Sequence, residues 1–149
     1  MLQKKLHMFG ALLLMAALLL AACAPETVVV DLTHHVPPGN LAACSFVLAG
    51  SFRYFPRDTL HLVVVDPGVG TGRDILLVRT QRYRFVGPDN GVLHQAVRAD
   101  GVRNILALDL DRFQRAAAER FAGNLVAERI LSEGPSATFH GRDLFAPFC

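Results

Sequence analysis

His61-Leu-Val-Val-Val-Asp-Pro-Gly-Val-Gly-Thr-Gly-Arg73 is the stretch that decides the fold. An apolar, β-branched run drops into Asp66, and a glycine-rich turn carrying Arg73 follows. Unbroken apolar strands are the kind buried on both faces of a sheet, and α/β sheets place their chemistry beyond the carboxyl ends of such strands. The segment predicts a strand over 60–65 that delivers the Asp66 carboxylate to that edge. Pro67 restricts the backbone of the residue before it, so the direction of the Asp66 side chain is well defined. Two roles are open to such a carboxylate: capping the next turn, which local sequence alone favours, or chemistry. Gly68-Val-Gly-Thr-Gly72 is not a nucleotide loop. The dinucleotide fingerprint needs a glycine where Arg73 stands, and no Gly-Lys-Ser/Thr follows.

Working outward, 28–32 is a short apolar run that predicts a buried strand. Pro37-Pro38-Gly39 breaks the chain, and Asn40 is placed to cap a helix through Arg53 with Leu41, Phe46, Val47 and Leu48 inward. Tyr54-Phe-Pro56 closes that helix. Strands are predicted over 75–79 and 83–86, joined by the turn Thr80-Gln-Arg82. Gly87-Pro-Asp-Asn-Gly91 is a dense turn cluster in which Asp89 and Asn90 are by default turn residues. Val92, Leu93, Ala96 and Val97 then follow helical spacing. A strand over 104–108 precedes a helix over 112–131 that Asp111 is placed to cap. Gly134-Pro135 breaks it, and 141–148 begins another helix. Strands alternating with helices predict an α/β domain with a three-layer, mostly parallel, Rossmann-like sheet.

At 149 residues the chain is one domain by length, large enough to bury a core. Its formal charge of +2 is close to neutral, and its basic residues are scattered, with the densest group at 79–84. That is no electrostatic footprint for nucleic acid. Three cysteines, Cys23, Cys44 and Cys149, are an odd number without metal-ligand spacing, so neither a disulfide framework nor a zinc site follows. Asp31-Leu-Thr-His-His35 offers three donors but lacks the i, i+4 histidine pair of a catalytic metal helix, and no metal is expected.

The N-terminus has two readings. Lys4 and Lys5 precede an apolar run over 8–22 that ends in Leu20-Ala-Ala-Cys23, the layout of a secretory signal with a lipoprotein cysteine. The run is short for a membrane span, which needs about 20 residues. The alternative is a buried first helix of the domain. Leu41-Ala-Ala-Cys44 repeats the same four letters, but only the first copy follows such a run. The organisation expected is therefore a signal or lipoprotein segment over 1–23, with export and a membrane anchor at Cys23, and an α/β domain over 24–149. A cytoplasmic protein is the alternative that goes with the buried helix.

Val30-Asp-Leu-Thr-His34, Pro37-Pro38, Tyr54-Phe-Pro56, Val65-Asp-Pro-Gly-Val-Gly-Thr71 with Arg73, Gly87-Pro-Asp-Asn-Gly91 and Thr138-Phe-His-Gly-Arg-Asp143 resemble, in order, the motifs of the S-adenosylmethionine hydrolases (adenosine-forming). These are also called SAM hydroxide adenosyltransferases and are relatives of the SAM-dependent fluorinases and chlorinases. The resemblance implies that water attacks ribose C5′ of S-adenosylmethionine, releasing adenosine and methionine, with Asp66, Arg73 and His140 as the catalytic set. Asp89 and Asn90 are carried as substrate-binding candidates. The substrate is a small molecule, no cofactor is implied, and a homotrimer is. The halogenating relatives do not keep this triad, so it points to water as the nucleophile.

Two departures accompany the resemblance. The family's opening Thr-Asp-Phe-Gly, whose carboxylate grips the ribose hydroxyls, has its nearest match in His7-Met-Phe-Gly10, where Met8 replaces the Asp. The family's C-terminal β domain normally follows the block that here ends at Asp143. The expectation is an N-terminal domain truncated at its C-terminus, with weak or no turnover alone and an apolar patch near Phe139, Phe145 and Phe148. The rival reading is a catalytically inactive homologue that at most binds adenosine or S-adenosylmethionine.

Overall fold

The structure, a computed structural model, describes residues 28–120 and 122. The chain divides into two compact units, Met1–His35 with Gln114–Cys149, and Val36–Phe113. The expectations for 8–22, for 121–131 (Ala122, in a turn, aside) and for 134–148 fall outside the described residues.

The unit Val36–Phe113 holds four strands, β1 (Leu60–Leu62), β2 (Ile75–Thr80), β3 (Arg84–Pro88) and β4 (Val102–Ala107), in the order β1-β3-β2-β4. Helix α1 (Leu41–Ser51) runs into a 3₁₀ turn (Phe52–Tyr54), α2 (His94–Asp100) lies between β3 and β4, and α3 (Leu110–Arg120) follows β4. This is the α/β class expected from the alternation of elements. The sheet is mixed rather than mostly parallel: β1 pairs with β3 in parallel, whereas β2 pairs antiparallel with both β3 and β4. The link Gln81-Arg-Tyr83 explains the first antiparallel pair, since so short a turn can only fold the chain back on itself.

The core lies between α1, α2 and one face of the sheet. Cys44, Leu48 and Phe52 meet Val78 and Phe85, and Val92, Leu93, Ala96 and Val97 of the α2 region close over them. That last set is the helical stripe read from the sequence. His61 stacks on Phe85 at 5.0 Å between ring centroids, and Phe52 stands edge-on to Tyr83 at 5.5 Å. The Asn40 side chain caps α1 as expected, accepting the Ala43 N–H at 3.0 Å.

Three local expectations are corrected. Phe46 is 75% exposed. Cys44, Leu48 and Phe52 form the inward stripe, and a residue two positions from Cys44 points about 200° round the helix from it. Residues 28–32 are exposed and carry no strand. An extended segment becomes a strand only when a neighbour takes its hydrogen bonds, and none of the described strands pairs with them. The start of α3 is capped by Asp109, whose carboxylate accepts the Arg112 N–H at 3.0 Å, rather than by Asp111, which lies inside the first turn.

Candidate active site

β1 is short because regular pairing with β3 stops at Leu62, yet the chain stays beside β3 for one residue more. The Val63 N–H donates to the Val86 carbonyl at 2.9 Å. Val63 is buried, and Val65 packs against the core. The strand is shorter than the predicted 60–65, but the apolar run still holds the backbone up to Val65 and leaves Asp66 as the first residue beyond.

The loop that follows is closed by its own hydrogen bonds. The Gly68 N–H donates to Asp66 Oδ1 at 3.1 Å, the Thr71 N–H donates to the Gly68 carbonyl at 3.1 Å, and the Thr71 hydroxyl donates to the same carbonyl at 2.6 Å. Gly70 sits at φ +80°, a conformation open to glycine at no steric cost. The turn brings Arg73 back over Asp66, and its Nη2 forms an ion pair with Asp66 Oδ2. The two side chains are 11% and 5% exposed, so the pair is nearly withdrawn from water. Asp66 therefore takes the capping role open to it, and its second oxygen is engaged as well. One oxygen caps the turn, and the other holds a guanidinium.

The turn after β3 is tied to the same place. Asn90 Nδ2 donates to the Val65 carbonyl at 3.1 Å, while its Oδ1 accepts the Val92 N–H at 3.1 Å. The Asp89 N–H donates to the Asp74 carbonyl at 2.9 Å, next to Arg73. Asn90 thus braces the carboxyl ends of β1 and β3 together, immediately before Asp66. This long-range brace is invisible in sequence, where Asn-Gly signals only a turn. The Asp89 residue itself is exposed. Gly39, at φ +73°, comes close to Pro67: a Cβ there would lie 3.6 Å from the Pro67 Cβ. Three blocks distant in sequence, 37–39, 65–73 and 87–91, therefore converge at one edge of the sheet.

His140 lies outside the described residues, so of the three catalytic candidates the structure brings together Asp66 and Arg73. Among the described residues no group of three His, Cys, Asp or Glu side chains is arranged to hold a metal ion. His34 pairs with Asp31 at 3.2 Å, an exposed contact one helical turn apart in sequence. Cys44 is a buried free thiol whose pKa is pushed up by burial, which suits packing rather than nucleophilic attack.

Residues 11–149 match the family model for the SAM hydroxide adenosyltransferase N-terminal domain. The chain is 43% identical over 128 residues to the (R)-S-adenosyl-L-methionine hydrolase of Salinispora tropica, covering 86% of this chain and 42% of that protein. The enzyme of the same name from Thermus thermophilus is 40% identical, covering 86% and 46%. That of Methanocaldococcus jannaschii is 31% identical, covering 79% and 37%. Among solved structures, an uncharacterized conserved protein from Thermotoga maritima matches with a TM-score of 0.75 and 34% identity, over 91% of this chain and 46% of that one. The chain spans less than half the length of the curated relatives it matches.

Proposed function

The chain belongs to the SAM hydroxide adenosyltransferase family, and from that premise we propose that it hydrolyses S-adenosyl-L-methionine to adenosine and L-methionine. The observation that carries the proposal is the Asp66–Arg73 pair, nearly buried on a closed loop beyond a parallel strand. In the reaction a water oxygen bonds to ribose C5′ as the C5′–S bond breaks. The electron pair stays on sulfur, so methionine departs as a neutral thioether that needs no acid to help it leave. The difficulty lies instead in holding water in line with the C–S bond and taking its proton, to which Asp66 or His140 is suited. Arg73, fixed by Asp66, stabilises the hydroxide character that develops on the attacking oxygen. Asn90 acts through the Val65 carbonyl by fixing the strand end that carries Asp66, and Asp89 is an exposed side chain of that turn able to meet substrate.

Incubating the purified chain with S-adenosylmethionine and following adenosine by chromatography tests the reading. Adenosine well above the level of an Asp66→Ala control is expected. Release no greater than that control overturns the assignment, and tight adenosine binding without turnover favours an inactive binding homologue instead.

The finer proposals concern place and assembly. Two lysines, an apolar run and Leu20-Ala-Ala-Cys23 support export with Cys23 as a lipid-bearing anchor, and family resemblance supports a homotrimer. Intact mass and sedimentation of the natively expressed chain check both. A mass that retains 1–22 overturns export, and a monomer overturns the trimer.

A further inference from the structure

The densest basic run of the sequence, 79–84, has no part in the site above. It forms the turn between β2 and β3, and β3 begins there and ends at the turn that braces Asp66. The run therefore lies at the opposite edge of the sheet. In the β2–β3 ladder Arg79 stands directly across from Arg84, and across β4 it faces Asn104. Like charges placed across an antiparallel pair repel and destabilise it, so this pairing carries a cost that needs a reason.

The neighbours orient these arginines without cancelling them all. A register shift at Arg79/Thr80 inserts Arg103 as an extra residue of β4. The Arg103 Nε and Nη2 donate to Gln81 Oε1 at 2.8 and 2.6 Å. Bulges of this kind re-aim a side chain. Arg84 Nη2 donates to the Asp58 carbonyl at 2.9 Å, a contact that holds the guanidinium but leaves its charge. Arg82 is the compensated member, paired with the Asp100 carboxylate at 2.6 Å. All four arginines and Asp58 line an open groove of about 510 Å³. Asp58 and Asp100 offset two of the four, so two positive charges remain in excess.

We propose that this groove is a binding site for a small soluble anion carrying two adjacent phosphate groups, inorganic pyrophosphate or a diphosphate ester. The planar guanidinium fork matches phosphate oxygens two at a time, and arginines already held in place lose little freedom on binding. The facing forks of Arg79 and Arg84, about 5 Å apart at their Cβ atoms and neither in an ion pair among the described residues, suit two linked phosphates better than one. Concavity favours a small ligand over a flat membrane surface. The site does not depend on the reaction assigned above.

Titrating the whole chain with inorganic pyrophosphate in a calorimeter tests the proposal, with an Arg79→Gln/Arg84→Gln double variant alongside. Saturable binding that weakens by about tenfold or more in the variant is expected. Without ligand the variant should melt at a higher temperature than the wild type, because the facing charges are gone, and pyrophosphate should raise only the wild-type melting point. That pair of shifts separates a lost binding site from a damaged fold. Three outcomes each overturn the proposal: no saturation by about 10 mM pyrophosphate, equal affinity in the double variant, or capture by phosphatidylglycerol vesicles without pyrophosphate binding.

Discussion

Asp66 and Arg73 constrain each other in a way that a point charge does not reproduce. Asp66 presents one oxygen to the Gly68 N–H and the other to Nη2 of Arg73, with both side chains almost out of water. A lysine at position 73 would keep the charge, but it would lose the planar fork and the fixed direction of its N–H groups. Arg73→Lys is therefore expected to cut kcat for adenosine release by about a hundredfold, the scale of losing one oriented donor to a developing oxyanion. It should change KM little, because the donor matters most where charge develops. Steady-state kinetics on the two proteins decide it, and a variant within a factor of about three of wild type would mean that Arg73 serves the loop and not the chemistry. The sequence could place Asp66 at a strand end and Arg73 seven residues on, but not their contact. That depends on Gly70 taking positive φ and on the Thr71–Gly68 bonds that fold the loop back.

The elements that were legible are those whose pattern is local. The strand through His61, the hairpin strands, the Asn40 cap and the buried Val92, Leu93, Ala96 and Val97 stripe all rest on alternation, run length or capping chemistry within a few residues. What was not legible rests on partners. Residues 28–32 have strand composition, but pairing is a property of two segments. Phe46 is apolar, but its side of α1 is set by where Cys44, Leu48 and Phe52 find the sheet. The turn at 87–91 shows the same division, because its turn chemistry is local and its work is not. Asn90 joins the Val65 carbonyl to the Val92 N–H, whereas Asp89 is exposed and contributes its backbone N–H. Asn90→Ala should therefore cost about 1–2 kcal/mol, having left a part-buried carbonyl and N–H without partners. Asp89→Ala should stay within about 0.5 kcal/mol. Urea unfolding measures both, and adenosine release should fall further in Asn90→Ala than its stability loss alone predicts if the brace aligns Asp66. Equal stabilities for the two variants would remove the brace from the account.

At the scale of the whole molecule, His61 and Asp100 are two buried ionisable side chains, among the described residues, whose shifted pKa values tie stability to acid in different pH ranges. His61 is boxed by Phe52, Phe55, Tyr83 and Phe85, and its Nε2 has no hydrogen-bond partner among the described residues. Desolvation pushes its pKa below the ordinary 6.5, so the folded protein holds the neutral ring while the unfolded chain takes up a proton first. The resulting stability is whole above pH 6.5 and is lost as pH falls from there through the folded value. Asp100 behaves likewise lower down. Burial alone would raise its pKa, but hydrogen bonds from the Thr80 and Arg82 side chains and the Arg82 backbone N–H, with the Arg82 charge, outweigh burial and bring it below 3.8. Its contribution is present above pH 3.8 and disappears as pH drops through the folded value. Acid unfolding should therefore weaken the protein in two stages, the first below about pH 6.5 and the second below about pH 3.8. Urea midpoints at pH 8, 5 and 3 follow them. His61→Phe, which keeps an aromatic ring stacked on Phe85, should erase the loss between pH 8 and 5 and leave the second stage in place. A midpoint in that variant that still falls between pH 8 and 5 as far as in the wild type would assign the first stage to some other group.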